Sequence, residues 1–168
     1  MKKIITTVAL ASSIIFSGWV YWHSDFKLKK VLISREWQST LVAHMSEWNK
    51  SHIVDKAKII SNVKYLPNGT YLKISSLNLY SKKFKQPIEL NISESGQWEL
   101  SDHYIIITPE VFKDTSTAIT AGLSKPQLTH IKQLFKVSSQ QSRKIDVIND
   151  NALLLTTLEH GSTILYSQ

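Results

Sequence analysis

The chain has 168 residues, a formal charge of +7 and no cysteine. The missing cysteines exclude disulfides, thiolate metal sites and a cysteine nucleophile. Hydrophobic residues make up 42% and charged residues 20%, a composition that folds rather than one that stays disordered. A basic balance points to nucleic acid or to an anionic membrane surface, and the compartment decides between the two.

Ile4 to Trp22 carries no charged residue. As a helix it is roughly 28 Å long, close to the thickness of a bilayer core. Trp19, Tyr21 and Trp22 close it, where aromatic rings favour the headgroup interface. A cleaved signal peptide is the rival reading, because Lys2 and Lys3 ahead of an apolar run fit that as well. Cleavage needs small residues near the cut, and Phe16-Ser17-Gly18-Trp19-Val20-Tyr21-Trp22 is too bulky. An uncleaved anchor is therefore expected. It divides the chain into a cytoplasmic tail 1–3, a transmembrane helix 4–22, a juxtamembrane segment 23–35 and an exported domain 36–168. Flanking charge alone does not orient the span, since Lys27, Lys29, Lys30 and Arg35 follow it. The short basic start resembles an export signal and puts the N-terminus in the cytoplasm. So small a tail gives no direct nucleic-acid contact. Lys27, Lys29 and Lys30 then lie near lipid headgroups, or are simply solvated.

Beyond the anchor the pattern is strand, turn, strand. Glu36 to Met45 alternates, with Trp37, Ser39, Leu41, Ala43 and Met45 on one face, although a helical stripe fits there too. Ile59 to Leu66 and Thr70 to Tyr80 flank Pro67-Asn68-Gly69, a hairpin turn. Asn68-Gly69-Thr70 also matches a glycosylation sequon, but the turn explains it. Pro87 to Glu94 and Gln97 to Ser101 are expected to form a hairpin about Ser95-Gly96. Asp102-His103 turns into Tyr104 to Thr108, and Pro109 to Gly122 reads as a loop. Ile145 to Asn149 and Ala152 to Leu158 meet at Asp150-Asn151, and Glu159 to Ser162 turns into Thr163 to Ser167. One helix interrupts the strands. Ser124 and Gln127 have capping-box spacing. Pro126 sits in the first turn, and Leu128, Ile131, Leu134 and Phe135 form an apolar stripe opposite Lys132 and Lys136. Eight or nine antiparallel strands in sequence order predict a mainly β fold, an up-and-down barrel with one helix. Tyr65-Leu66-Pro67-Asn68-Gly69-Thr70, Gly96-Gln97-Trp98-Glu99-Leu100 and Ile145-Asp146-Val147 through Leu153-Leu154-Leu155 resemble pieces of lipocalin-like small barrels. The barrel is closed, or left open for a partner to complete.

Chemistry is sparse. No pair among the six histidines has metal-ligand spacing on a helix. Ser162, His160 and Asp146 make a triad only on paper, with no nucleophile elbow to support them. There is no phosphate loop and no dinucleotide fingerprint. No enzymatic activity, cofactor or metal is expected. Trp37, Leu41, Val63, Tyr65, Leu72, Trp98 and Leu100 are candidates to line an apolar ligand cavity, or to fill the core. Lys82, Lys83 and Lys85 read as a solvated basic loop.

Several long stretches resemble the ToxS family. They are Tyr21-Trp22-His23-Ser24-Asp25-Phe26, Ser34-Arg35-Glu36-Trp37-Gln38-Ser39 and Ser61-Asn62-Val63-Lys64-Tyr65-Leu66-Pro67-Asn68-Gly69-Thr70-Tyr71-Leu72, with Gln140-Gln141-Ser142-Arg143 and His160-Gly161-Ser162-Thr163. The resemblance implies a bacterial inner-membrane protein that crosses once and holds a lipocalin-like domain in the periplasm. It implies a partner, the periplasmic domain of a ToxR-type membrane-bound transcription factor, which is stabilised and protected from proteolysis. It further implies sensing of bile salts in a pocket of the complex. It transfers no catalytic residue. The other function the residues allow is a membrane-tethered carrier or sensor of amphipathic molecules acting without ToxR.

Overall fold

The computed structural model describes residues 2–44, 55–81, 86–114, 125–157 and 161–167. Ten elements follow in chain order: α1 (Lys2–Ser34), β1 (Glu36–His44), β2 (Lys56–Tyr65), β3 (Thr70–Tyr80), β4 (Ile88–Ser101), β5 (Tyr104–Asp114), α2 (Lys125–Ser139), β6 (Arg143–Asn149), β7 (Ala152–Thr157) and β8 (Ser162–Ser167). The strands pair antiparallel in sequence order and close into one eight-stranded barrel. The predicted architecture is present, in its closed form.

Local chemistry sets the turns. Asn68 accepts hydrogen bonds from the Thr70 backbone N–H and hydroxyl, and Gly69 takes a φ of 83°. That is the turn expected between β2 and β3. Asp102 and His103 both have positive φ, the requirement of a two-residue hairpin between β4 and β5.

Two expected boundaries change. Residues 88–101 form one fourteen-residue strand, with a bulge at Ser95/Gly96 in place of a hairpin. Gly96 faces Pro109, and a Cβ there would come within 2.1 Å of the Thr108 carbonyl oxygen. The glycine admits a close backbone approach; it does not reverse the chain. For the same reason the predicted loop from Pro109 is strand as far as Asp114, with Pro109 placed at the bulge. The β1 segment is a strand, not a helix. Met45, Lys82, Lys83, Lys85, Ser124, Leu158, Glu159 and His160 lie outside the described residues, as do the side chains of Leu128, Ile131 and Leu134.

Helix α1 runs without a break through the predicted juxtamembrane segment to Ser34. Among the described residues no helix is long and apolar enough to cross a membrane. Many side chains of the predicted span 4–22 lie outside that set. The last turns of α1 enter the base of the barrel, where Leu28 and Leu32 are buried with Trp37, Trp98, Ile105, Ile145, Leu153 and Leu165. A second apolar layer, Ala57, Leu77, Leu79, Ile88, Leu90 and Ile92, fills the other end, against Phe112 and Phe135.

Candidate functional site

Period-two alternation sends Tyr71, Ser75, Leu77 and Leu79 of β3 into the barrel. Lys73 lies on the same face, and on β4 the inward set is Leu90, Ile92, Glu94 and Trp98. Lys73 and Glu94 are register partners, so both charges face inward at one level. Ser61 and Ser75 are partners at the next level and share a hydrogen bond of 2.8 Å. The result is a polar belt between the two apolar layers.

Glu94 is its hub. The carboxylate is 1% exposed and accepts from three donors. Tyr71 donates its phenol to Oε1. Lys73 Nζ donates to Oε2 at 3.1 Å, and Ser139 Oγ to the same oxygen at 2.9 Å. Ser139 also reaches the Phe135 carbonyl oxygen within α2, at 3.0 Å. Arg143, at the start of β6, donates through Nη2 to the Ser138 carbonyl oxygen at 3.2 Å. Its Nε is buried with no hydrogen-bond partner among the described residues. Helix α2 is thus fastened across the barrel by Ser139 on Glu94, by Phe135 on Phe112 and by the Lys132–Asp114 ion pair.

Beneath α2 lies a cavity of about 120 Å³. Leu41, Val63, Tyr65, Ile107, Leu155 and Leu165 make its apolar wall; Lys73, Glu94, Ser139 and Arg143 make its polar wall. Ligand pockets for drug-sized molecules run to roughly 300–1,000 Å³, so this one holds only a few waters unless α2 moves.

Burial shapes the titration. It pushes the Tyr65 phenol up to about 12. Burial, and then the hydrogen bond to Glu94, pushes Tyr71 higher still. Burial lowers Lys73, while Glu94 opposes that shift. A phenol with a raised folded-state pKa contributes stability fully below pH 10, and loses it as pH climbs through the folded value. Lys73 works in the opposite sense, and only up to its ordinary value of 10.5. The barrel should therefore hold from neutral pH to about 10 and weaken between about 10 and 12. Of the six tyrosines, Tyr65 and Tyr71 should ionise last, together with unfolding, in a tyrosinate absorbance titration. Ionisation of all six at the ordinary value, with the fold intact, would contradict their burial.

The structure divides the predicted site residues. Val63 and Tyr65 line the cavity, and both are buried. Leu41 lines it too, yet is nearly half exposed. Trp37 and Trp98 are buried in the base layer, outside the cavity lining, and Leu100 packs at that layer's margin. Trp37 donates its indole N–H to the Leu32 carbonyl oxygen, and Trp98 donates to that of Leu66. Leu72 is a correction: it is 56% exposed, because Tyr71 and Lys73 take the inward positions on either side of it. The paper triad has no support among its described members: Ser162 lies within 3.4 Å of the Thr156 hydroxyl and Asp146 pairs with Lys144. The sequence reading missed the polar belt. Its signal was an alternating strand with Lys73 in phase with Tyr71, Leu77 and Leu79.

Comparison with known proteins adds a family to this geometry. The family model described as trans-membrane regulatory protein ToxS matches residues 21–166. The transmembrane regulatory protein ToxS of Vibrio parahaemolyticus is 44% identical over 169 residues, covering 99% of each chain. That of Vibrio cholerae is 45% identical over 161 residues, covering 94% of this chain and 93% of the relative. A match from the last turns of α1 through β8, at such identity over nearly the whole length, shows that the chain belongs to the ToxS family of trans-membrane regulatory proteins.

Proposed function

We propose that this chain is a non-enzymatic inner-membrane regulatory protein. It crosses once through residues 4–22 with its N-terminus in the cytoplasm, and its periplasmic barrel binds and stabilises the periplasmic domain of a ToxR-type transcription regulator. Family membership supports the membrane and regulatory parts of this reading. The observation that carries the partner is a weak seam in the barrel. β1 pairs with β8 only through Trp37↔Ser167 and Gln38↔Tyr166. Along Ser39–His44, no further register pairing with β8 is present among the described residues. Such an edge offers unpaired backbone groups, and natural proteins cover edges of this kind. A partner strand added there gains main-chain hydrogen bonds and meets Leu41 and Val42, both nearly half exposed.

Ligand sensing belongs to the complex in this reading, not to the lone barrel. A bile salt or similar amphipathic molecule pairs an apolar body with an anionic head. Leu41, Ile107 and Leu155 suit the body, and Lys73 and Arg143 suit the head. The cavity of about 120 Å³ is too small for it, so a partner must first open the seam or displace α2.

The test is co-purification of the regulator with the full-length chain from detergent-solubilised membranes. Val42→Glu places a charge on the exposed edge opposite Lys58, its register partner on β2, so the barrel should tolerate it. Recovery of the regulator should fall by about tenfold, an interface loss near 1.4 kcal/mol. Equal recovery with Val42→Glu would remove the edge from the interface, and no recovery with the unmodified chain would contradict the partnership.

A further inference from the structure

Helix α1 does not end where its uncharged stretch ends. Leu28 is already part of the barrel core, six residues after Trp22. At 1.5 Å per residue, that separation is about 9 Å. A headgroup layer is roughly 5–8 Å thick on each side of the bilayer core. No room is left for a flexible linker.

The junction is also braced. The Asp25 carboxylate accepts from the backbone N–H of Asp102 at 3.1 Å and of His103 at 3.2 Å, in the β4–β5 hairpin. Its Oδ1 lies 3.8 Å from His103 Nδ1. Arg35, one residue past α1, donates to the Asn151 side-chain oxygen at 2.6 Å, in the β6–β7 turn. Lys29 stands over the Trp98 ring, 5.8 Å from its centre. With Leu28 and Leu32 inserted between them, these contacts fix the helix to two separate hairpins of the barrel base.

We propose that α1 is a rigid stem that seats the base of the barrel on the phospholipid headgroups and points the α2-covered mouth away from the membrane. This rests on the reading that residues 4–22 span the bilayer. The surface around the stem fits such a layer. Lys27, Lys29 and Lys30 are exposed on α1 where headgroup phosphates would lie. Phe26 is 48% exposed beside them, and Val147 and Ile148 are more than half exposed next to the β6–β7 turn. Asp102 and Asp150 occupy the same end, so the attraction is local to the stem lysines, and the stem itself sets the position. An eleven-residue strand such as β3, tilted by about 40°, rises roughly 28 Å. The mouth therefore stands about that far from the lipid, while the β1 edge climbs from the base toward it, and a partner must reach along that height.

The absence of native cysteine makes the test direct. Ile148→Cys at the base and Lys113→Cys near the mouth are each labelled with a fluorophore in the full chain. The chain is reconstituted into phosphatidylcholine and phosphatidylglycerol vesicles that carry a headgroup-attached quencher. The base label should be quenched at least threefold more than the mouth label. Asp25→Ala should at least halve that difference while the thermal unfolding transition is retained. Equal quenching at the two positions, in a chain that resists alkaline extraction, would overturn the stem. A chain released by alkaline extraction would overturn the membrane-span reading beneath it.

Discussion

Glu94→Ala should lower the unfolding temperature of the full-length chain in detergent by about 10 °C, the counterpart of roughly 3–5 kcal/mol. The carboxylate is buried and accepts from Tyr71, Lys73 and Ser139 together. Its removal leaves an ammonium group and a phenol inside the barrel without their acceptor. An uncompensated buried charge is among the most destabilising single changes. Glu94→Gln keeps the volume and one acceptor oxygen, so it should cost less, about 1–3 kcal/mol. The order matters more than either value. Equal stability of Glu94→Ala and the unmodified chain would mean that the belt does not hold α2 across the barrel.

Leu32→Ala should destabilise the barrel by about 2–5 kcal/mol, although Leu32 lies on α1 and not on a barrel strand. Leu32 is fully buried among Trp37, Ile145, Leu153 and their neighbours in the base layer. Leu10 and Ile14, earlier on α1, are each more than 60% exposed. Alanine there should leave barrel unfolding unchanged within about 0.5 kcal/mol. Chemical denaturation followed by tryptophan fluorescence checks all three variants. If Leu32→Ala behaved like Leu10→Ala, the end of α1 would be a tether and not part of the core.

That contrast marks what could be read in the sequence. Thr70 to Tyr80 was legible to the residue, since a turn signal precedes it and alternation runs through it. The Asp102-His103 and Asp150-Asn151 turns were legible for the same reason. The Ser95-Gly96 pair misled because glycine signals both a reversal and a close approach, and only the neighbouring strand tells them apart. Residues 23–35 read only as a juxtamembrane segment. Their role depends on long-range contacts, such as Asp25 with His103, that no local pattern carries. The polar belt was hidden in a similar way. Lys73 and Glu94 each look like solvent-facing residues until the register sets them side by side on the inner face. The apolar candidates were chosen by residue type; Val63 and Tyr65 line the cavity, whereas Leu72 faces outward.

On the proposed reading, the barrel is carried on a membrane-spanning α1 and acts on transcription through a ToxR-type partner in the same membrane, which adds a strand along β1. In that reading, tethering both periplasmic domains to one surface would raise their effective concentration without any added contact. The direct measurement is the lifetime of the ToxR-type regulator, by pulse-chase in cells with and without this chain. The regulator should decay several-fold faster without the chain, and Val42→Glu should reproduce much of that loss. An unchanged lifetime in cells lacking the chain would contradict the partnership.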